Sequence, residues 1–179
     1  MIIRPVEYSD REKLFYLIEQ TEAFNKQELE TAIAVVEEAL RYPERRDYQI
    51  YCACNTPEEL AGYICFGPIP MTDACYDLYW IAVDKRFARM GAAARLTAFM
   101  EEMVVREGAR RIYIETSSTP AYEAARSFYK KNGYSLICML TDFYRTDDHK
   151  LIFMKEVHAA QHDLLPKGSE KHVSNSPNL

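Results

Sequence analysis

The chain has 179 residues, of which 48% are hydrophobic and 12% aromatic, and its formal charge is −5 at pH 7. The length fits one domain, and the apolar fraction builds a sizeable core and excludes global disorder. The acidic balance, with no basic stripe beyond Arg106, Arg110 and Arg111, excludes a nucleic-acid or anionic-membrane partner.

In chain order, Met1 to Glu7 reads as a short edge strand, because Ile3 and Val6 flank Pro5. Ser9, with Glu12 three residues on, predicts a capping box for a first helix carrying Leu14, Leu17 and Ile18. A second helix is predicted from about Lys26 to Arg41, ended by Pro43. Three strands follow, Tyr48 to Cys54, Leu60 to Gly67 and Cys75 to Val83, separated by turns rich in Pro, Asn and Gly. Ala88 to Glu107 has helical spacing, with Leu96, Met100 and Val104 on its apolar face and Gly108 as the stop. Arg111 to Glu115 alternates as a strand, and Thr119-Pro120 opens a helix that Asn132-Gly133 closes. Tyr134 to Leu140 and Lys150 to Val157 predict a final hairpin. The domain is expected over 1–157 and an unstructured tail over 158–179, where aromatic residues are absent.

Five cysteines in irregular positions give no disulfide framework, and the start of the chain lacks a signal-peptide core, so a cytoplasmic protein is expected. Cys52 and Cys54 alternate on one strand without a second pair, so no metal site is expected.

The chemistry concentrates between Asp77 and Leu96. A strand runs into a tight turn whose Gly91 opens a helix, which gathers free N–H groups where the helix dipole is positive. Gly91 and Ala93 leave room for a phosphate, and Arg86 and Arg89 add positive charge. The same residues also fit an ordinary helix start with solvated arginines.

This strand, turn and helix, together with Ala125-Arg-Ser-Phe-Tyr-Lys-Lys-Asn-Gly-Tyr134, resembles the GNAT superfamily of acetyl-CoA-dependent N-acetyltransferases. The resemblance spans about residues 1 to 157 and is strongest from Asp77 to Tyr134. It implies an α/β fold: a twisted, mostly antiparallel sheet of about seven strands, helices on both faces, and two parallel strands that splay to admit the cofactor. The family's pyrophosphate turn, Arg/Gln-x-x-Gly-x-Gly/Ala, falls on Ala88, Arg89, Met90, Gly91, Ala92 and Ala93, with Ala88 departing from the pattern. The resemblance also assigns Ile81, Ala82, Val83 and Arg126 to acetyl-CoA, a main-chain N–H at or beside Val83 receiving the thioester oxygen. Tyr129 takes the place of the family's acid that protonates the departing thiolate. Asp77 is the expected base, acting directly or through water, or else a solvated strand-start residue.

Strand alternation puts Asp77, Tyr79, Ile81 and Val83 on one face. On the α-helix that follows, Ala121, Ala124, Ala125 and Phe128 are expected to pack on the sheet, while Tyr122, Arg126 and Tyr129 lie on the adjacent face, from which Tyr129 is expected to look into a cleft. Tyr76, Tyr79, Trp80, Asp142 and Tyr144 are expected at the acceptor, where aromatic walls and carboxylates suit a cationic amine. The expected activity is transfer of acetyl to a primary amine of a small molecule or peptide, by direct attack in a ternary complex. The alternative is a non-catalytic acyl-CoA-binding module. Neither nucleic acid nor membrane is an expected partner, and a homodimer stays open.

Overall fold

Residues 1–158 are described by a computed structural model; the expected tail lies, from residue 159 on, outside the described residues. Among the described residues seven strands form one sheet: β1 (Ile2–Pro5), β2 (Gln49–Thr56), β3 (Glu59–Pro68), β4 (Cys75–Val83), β5 (Arg111–Ser117), β6 (Ser135–Arg145) and β7 (Asp148–Glu156). Four helices complete the fold: α1 (Arg11–Glu19), α2 (Lys26–Arg41), α3 (Ala92–Arg106) and α4 (Glu123–Lys131). The spatial order is β1-β2-β3-β4-β5-β7-β6. Only β4 and β5 are parallel; the remaining neighbours are antiparallel.

Each face of the sheet has its own core. Leu96, Met100 and Val104 of α3, spaced four apart, meet Ile64, Phe66, Ile112 and Ile114. Each such buried side chain contributes about 1.5–3 kcal/mol by area. On the opposite face Leu14, Leu17 and Ile18 of α1 and Ala32, Val35 and Val36 of α2 cover Cys52, Tyr63 and Cys65. Helices therefore lie on both faces, as the family resemblance implies.

The start of α1 differs from expectation. Ser9 does not cap it. A 3-10 turn at Tyr8–Asp10 precedes the helix, and the buried Asp10 carboxylate accepts from Glu7 N–H and, through both oxygens, from Arg4 at 2.6 and 2.8 Å. The guanidinium holds the Asp10 carboxyl below the usual carboxylate range, against the burial that pushes it up.

β4 departs from simple alternation. Cys65 pairs with Trp80 and Phe66 with Leu78, so Tyr79 is an extra residue, a β-bulge. The bulge flips the parity of everything after it. Tyr76, Leu78 and Ile81 pack toward α3, whereas Tyr79, Trp80 and Ala82 pack toward α1 and α2. Asp77 and Tyr79 thus share a face, but Ile81 and Val83 lie on the other, contrary to the strict alternation expected. Gly62 holds β3 against this end of β4: a Cβ there would sit 2.7 Å from the Ala82 carbonyl oxygen.

Candidate active site

β4 and β5 pair only through Cys75, Tyr76 and Asp77, opposite Arg111, Ile112 and Tyr113. Beyond Asp77 the two strands part, leaving the β5-facing edge of β4 without a ladder partner. Asp84 N–H donates back to Ala61 of β3 at 2.9 Å. Because main-chain groups alternate along a strand, the N–H groups of Val83 and Ile81 then point the other way, into the opening. These are main-chain donors in the place where the sequence assigned one to the thioester oxygen.

The opening leads to the turn before α3. Arg89 (φ 64°) and Gly91 (φ 81°) both adopt left-handed conformations, and a Cβ on Gly91 would meet nothing within 4 Å. The first intrahelical bond is from Arg95 N–H to Gly91 O at 3.0 Å, so the N–H groups of Ala92, Ala93 and Ala94 project from the helix end. The space at Gly91 and these donors fit a pyrophosphate. The absent Arg or Gln at Ala88 removes no main-chain donor. Arg86, expected as mobile charge, is instead paired with Asp84 (2.7 Å), whereas Arg89 is exposed and makes no ion pair among the described residues.

Two adjoining hollows lie beside the parted end of β4. A trough of about 700 Å³ runs between the end of α1 and Ile81–Arg86. It shares Thr21, Ala23, Ile81 and Ala121 with a smaller hollow of about 290 Å³. The smaller hollow is walled by Tyr79 and Trp80 of β4, Glu115 of β5, Tyr122 and Tyr129, the N-terminal end of α2 with Glu28, and Tyr144, Arg145 and Asp148 of the terminal hairpin.

Tyr129 borders this hollow from an unexpected direction. The face of α4 that was to look into the cleft is the one packed on the sheet: Arg126 and Tyr129 are its buried residues, Ala121 and Ala124 are exposed, and Phe128 is half-buried. The Tyr129 ring, 8% exposed, sits among Phe128, Tyr134 and Phe153. The residue lines the hollow, and its hydroxyl makes no hydrogen bond among the described residues. Burial pushes the phenol up to about 12, so it stays protonated at neutral pH.

Asp77 stands behind the hollow wall, on the face it shares with Tyr79. Burial pushes its carboxyl up to about 6, helped by the charge of Glu115 and opposed by Lys150, which pairs with Glu115. The folded-state pKa is therefore above the unfolded value of 3.8, and the folded chain holds this proton more tightly. The stability Asp77 contributes is fully present below pH 3.8 and is lost as pH rises through about 6. Asp77→Asn is accordingly expected to raise the melting temperature at neutral pH and to change it little near pH 4; a lower Tm at neutral pH would refute the buried charge.

Three expected site residues lie elsewhere. Tyr76 is buried under α3 with its hydroxyl donating to Glu107 at 2.7 Å, because it precedes the bulge and faces away from the acceptor side. Asp142 sits exposed at φ 52° in the hairpin, accepting from Asp147 N–H and away from the hollow. Arg126, assigned to the cofactor, turns inward: it donates to the carbonyls of Ser117 (2.8 Å) and Thr119 (2.7 Å) and to Glu123 (2.6 Å), tying the end of β5 to α4. Arg126→Met should therefore lower stability by about 1.5–3 kcal/mol for each charged hydrogen bond removed at the upper limit, with acetyl-CoA affinity largely kept; a selective loss of affinity would return it to the cofactor.

The sequence reading missed Glu28 and Asp148 as neighbours of the hollow, while Tyr122 was placed on the face it shares with Tyr129. Tyr122 donates to Glu28 at 2.7 Å across its mouth, and Asp148 accepts from Ser117 at 2.5 Å. The Asn25-x-x-Glu28 spacing of the capping box, present here in full, was the available signal for Glu28, since it fixes that residue in the first turn of α2.

A seven-stranded mixed sheet, opened between two parallel strands with a turn of free N–H groups at the opening, is the fold of the GNAT acetyltransferases. The chain belongs to the GNAT acetyltransferase family: the profile of the Acetyltransferase (GNAT) family matches residues 13–134. It is an acetyl-CoA-dependent acetyltransferase. A GNAT-family protein from Desulfovibrio desulfuricans is 33% identical and aligns over 87% of this chain and 98% of its own, with a TM-score of 0.82. The fold is shared with the aminoglycoside 6'-N-acetyltransferase of Enterococcus faecium (19% identity, TM-score 0.69, 87% and 97% covered). It is shared too with the ribosomal-protein-S18-alanine N-acetyltransferase of Escherichia coli (16%, 0.69, 91% and 97%). No curated protein matches the chain in sequence. Among the described residues no helix is long and apolar enough to cross a membrane.

Proposed function

We propose that the chain transfers acetyl from acetyl-CoA to a primary amine of a cationic small molecule or peptide, by direct attack within a ternary complex. The observation that carries this reading is the smaller hollow. There Tyr129, whose hydroxyl makes no hydrogen bond among the described residues, lines the same hollow as Glu115, Glu28, Tyr79, Trp80 and Tyr144. Carboxylates and ring faces are what an ammonium group seeks.

In this reading the N–H groups around Gly91 hold the pyrophosphate, and those of Ile81 and Val83 receive the charge that develops on the thioester oxygen. The Asp77–Glu115 pair takes the proton from the ammonium, with Glu115 at the wall and Asp77 behind it. Tyr129 O–H supplies a proton to the departing sulfur. The alanine N-terminus and the aminoglycoside of the two structural relatives are both primary amines and share this requirement.

Direct attack predicts intersecting initial-rate lines when acetyl-CoA and amine are varied, and no thiol burst without amine; parallel lines would instead indicate an acetyl-enzyme. The pair predicts that kcat/KM rises with pH through an apparent value near 6. In Glu115→Gln that limb should move to lower pH, because a like charge has been removed from beside Asp77. An unmoved limb would detach the pair from the reaction.

A further inference from the structure

β6 and β7 run together as far as Leu140, opposite Lys150, and resume at Arg145, opposite Asp148. Four residues of β6, 141–144, therefore stand against a single residue of β7, His149. The main chain of His149 is turned to its other neighbour. Its N–H donates to Ser118 Oγ and its carbonyl accepts from Ser118 N–H, both at 2.9 Å. Both main-chain groups of a strand residue point to one side, so His149 has none left for the bulge. Its ring takes their place. Nδ1 accepts from Asp142 N–H at 3.0 Å, and the Asp142 carboxylate accepts in turn from Asp147 N–H at 2.9 Å. Asp142 (φ 52°) and Asp147 (φ 61°) both hold left-handed backbones, a conformation disfavoured for a residue with a Cβ. The bond to the ring is thus made where the backbone needs holding.

The bulge carries two rings to the site. Tyr144 lines the smaller hollow. Burial raises its phenol, and so do the charges of Glu115, Glu28 and Asp148, the carboxylates of that same hollow. Phe143 meets Tyr144 edge to face at 5.1 Å and lies 4.6 Å from the ammonium of Lys150, the partner of Glu115. On the reading that the smaller hollow takes the acceptor amine, we propose that His149 is a positioning residue for the acceptor: its ring holds the 141–144 bulge in the shape that keeps Tyr144 in the hollow wall. His149 itself does not line the hollow and acts through Tyr144. Without the bond the bulge leaves this shape part of the time, and the apparent affinity for the amine falls by the fraction of molecules that keep it.

The probes are an aminoglycoside, a peptide with an N-terminal alanine and a polyamine. In His149→Ala the KM for the amine should rise about 3- to 10-fold, the worth of one hydrogen bond, with kcat and the KM for acetyl-CoA close to the parent's. His149→Asn carries Oδ1 in the place of Nδ1 and should restore the parent's KM. In a Tyr144→Ala background His149→Ala should add no further rise, since the two residues act along one path. The Asp142 amide should exchange slowly in the parent and in His149→Asn, and freely in His149→Ala. Binding of the same amines beside coenzyme A, read from the fluorescence of Trp80, the one tryptophan and a wall residue of the hollow, separates positioning from chemistry. If amines bind but no thiol is released, acetyl transfer fails as a reading, and the ratio of Kd between His149→Ala and the parent still decides the role of His149. An unchanged amine KM or Kd in His149→Ala, no rescue by asparagine, or additive effects with Tyr144→Ala would each overturn the proposal. Amines that bind nowhere on the parent would overturn the acceptor site and this role with it.

Discussion

Tyr129→Phe is expected to lower kcat by about 10²- to 10⁴-fold while leaving acetyl-CoA affinity almost unchanged. The ring stays packed among Phe128, Tyr134 and Phe153, so the fold keeps its contacts. The hydroxyl makes no hydrogen bond among the described residues, so removing it strands no partner. What is lost is a proton donor that acts when the carbon–sulfur bond breaks. An interaction made mainly in the transition state shows itself as a fall in kcat and in kcat/KM together. A kcat equal to the parent's, measured where chemistry limits turnover, would take Tyr129 out of the reaction.

Gly91→Glu is expected to abolish acetyl-CoA binding. The left-handed backbone and the open space beside Gly91 let an anion approach the N–H groups of Ala92 to Ala94. A glutamate fills that space and brings its own negative charge to the helix end. Acetyl-CoA at a hundred times its Kd stabilises a folded chain by about 2.7 kcal/mol, which thermal shift reads directly; the variant should show none of it. Gly91→Ala separates charge and bulk from backbone strain. It carries the same left-handed penalty, on the order of 1 kcal/mol, yet should keep the ligand-induced shift. Equal shifts in the parent and Gly91→Glu would move the pyrophosphate away from this turn.

Much of the architecture was legible because it rests on local signals. The bounds of α2 and β4 agree with the predicted Lys26 to Arg41 and Cys75 to Val83, where caps, prolines and apolar spacing coincide. The order of elements follows, whereas the parallel pair that opens the site was implied by the family resemblance. What was not legible depends on geometry that single residues do not announce. One extra residue at Tyr79 reverses the faces of Ile81 and Val83, and nothing in the run Leu-Tyr-Trp-Ile distinguishes a bulge from a regular strand. The Pro120–Tyr122 segment is a 3-10 turn, which shifts the phase of α4 and puts Arg126 and Tyr129 on its buried side. Tyr76 finds Glu107, and Arg126 finds the carbonyls of Ser117 and Thr119, only after the chain has folded. The hollow itself assembles Glu28, Glu115 and Asp148 from three distant segments, so its acidic wall is a property of the topology.

Acetyl transfer to a primary amine is tested most directly by mixing the chain with acetyl-CoA and a panel of amines, among them an aminoglycoside, a peptide with an N-terminal alanine and a polyamine, while following free thiol and the mass of each acceptor. The account predicts thiol release only when a primary amine is present, one equivalent for each acetyl group gained by the acceptor. Tight binding of acetyl-CoA without thiol release for any primary amine would contradict it and leave a chain that binds the acyl donor but does not spend it.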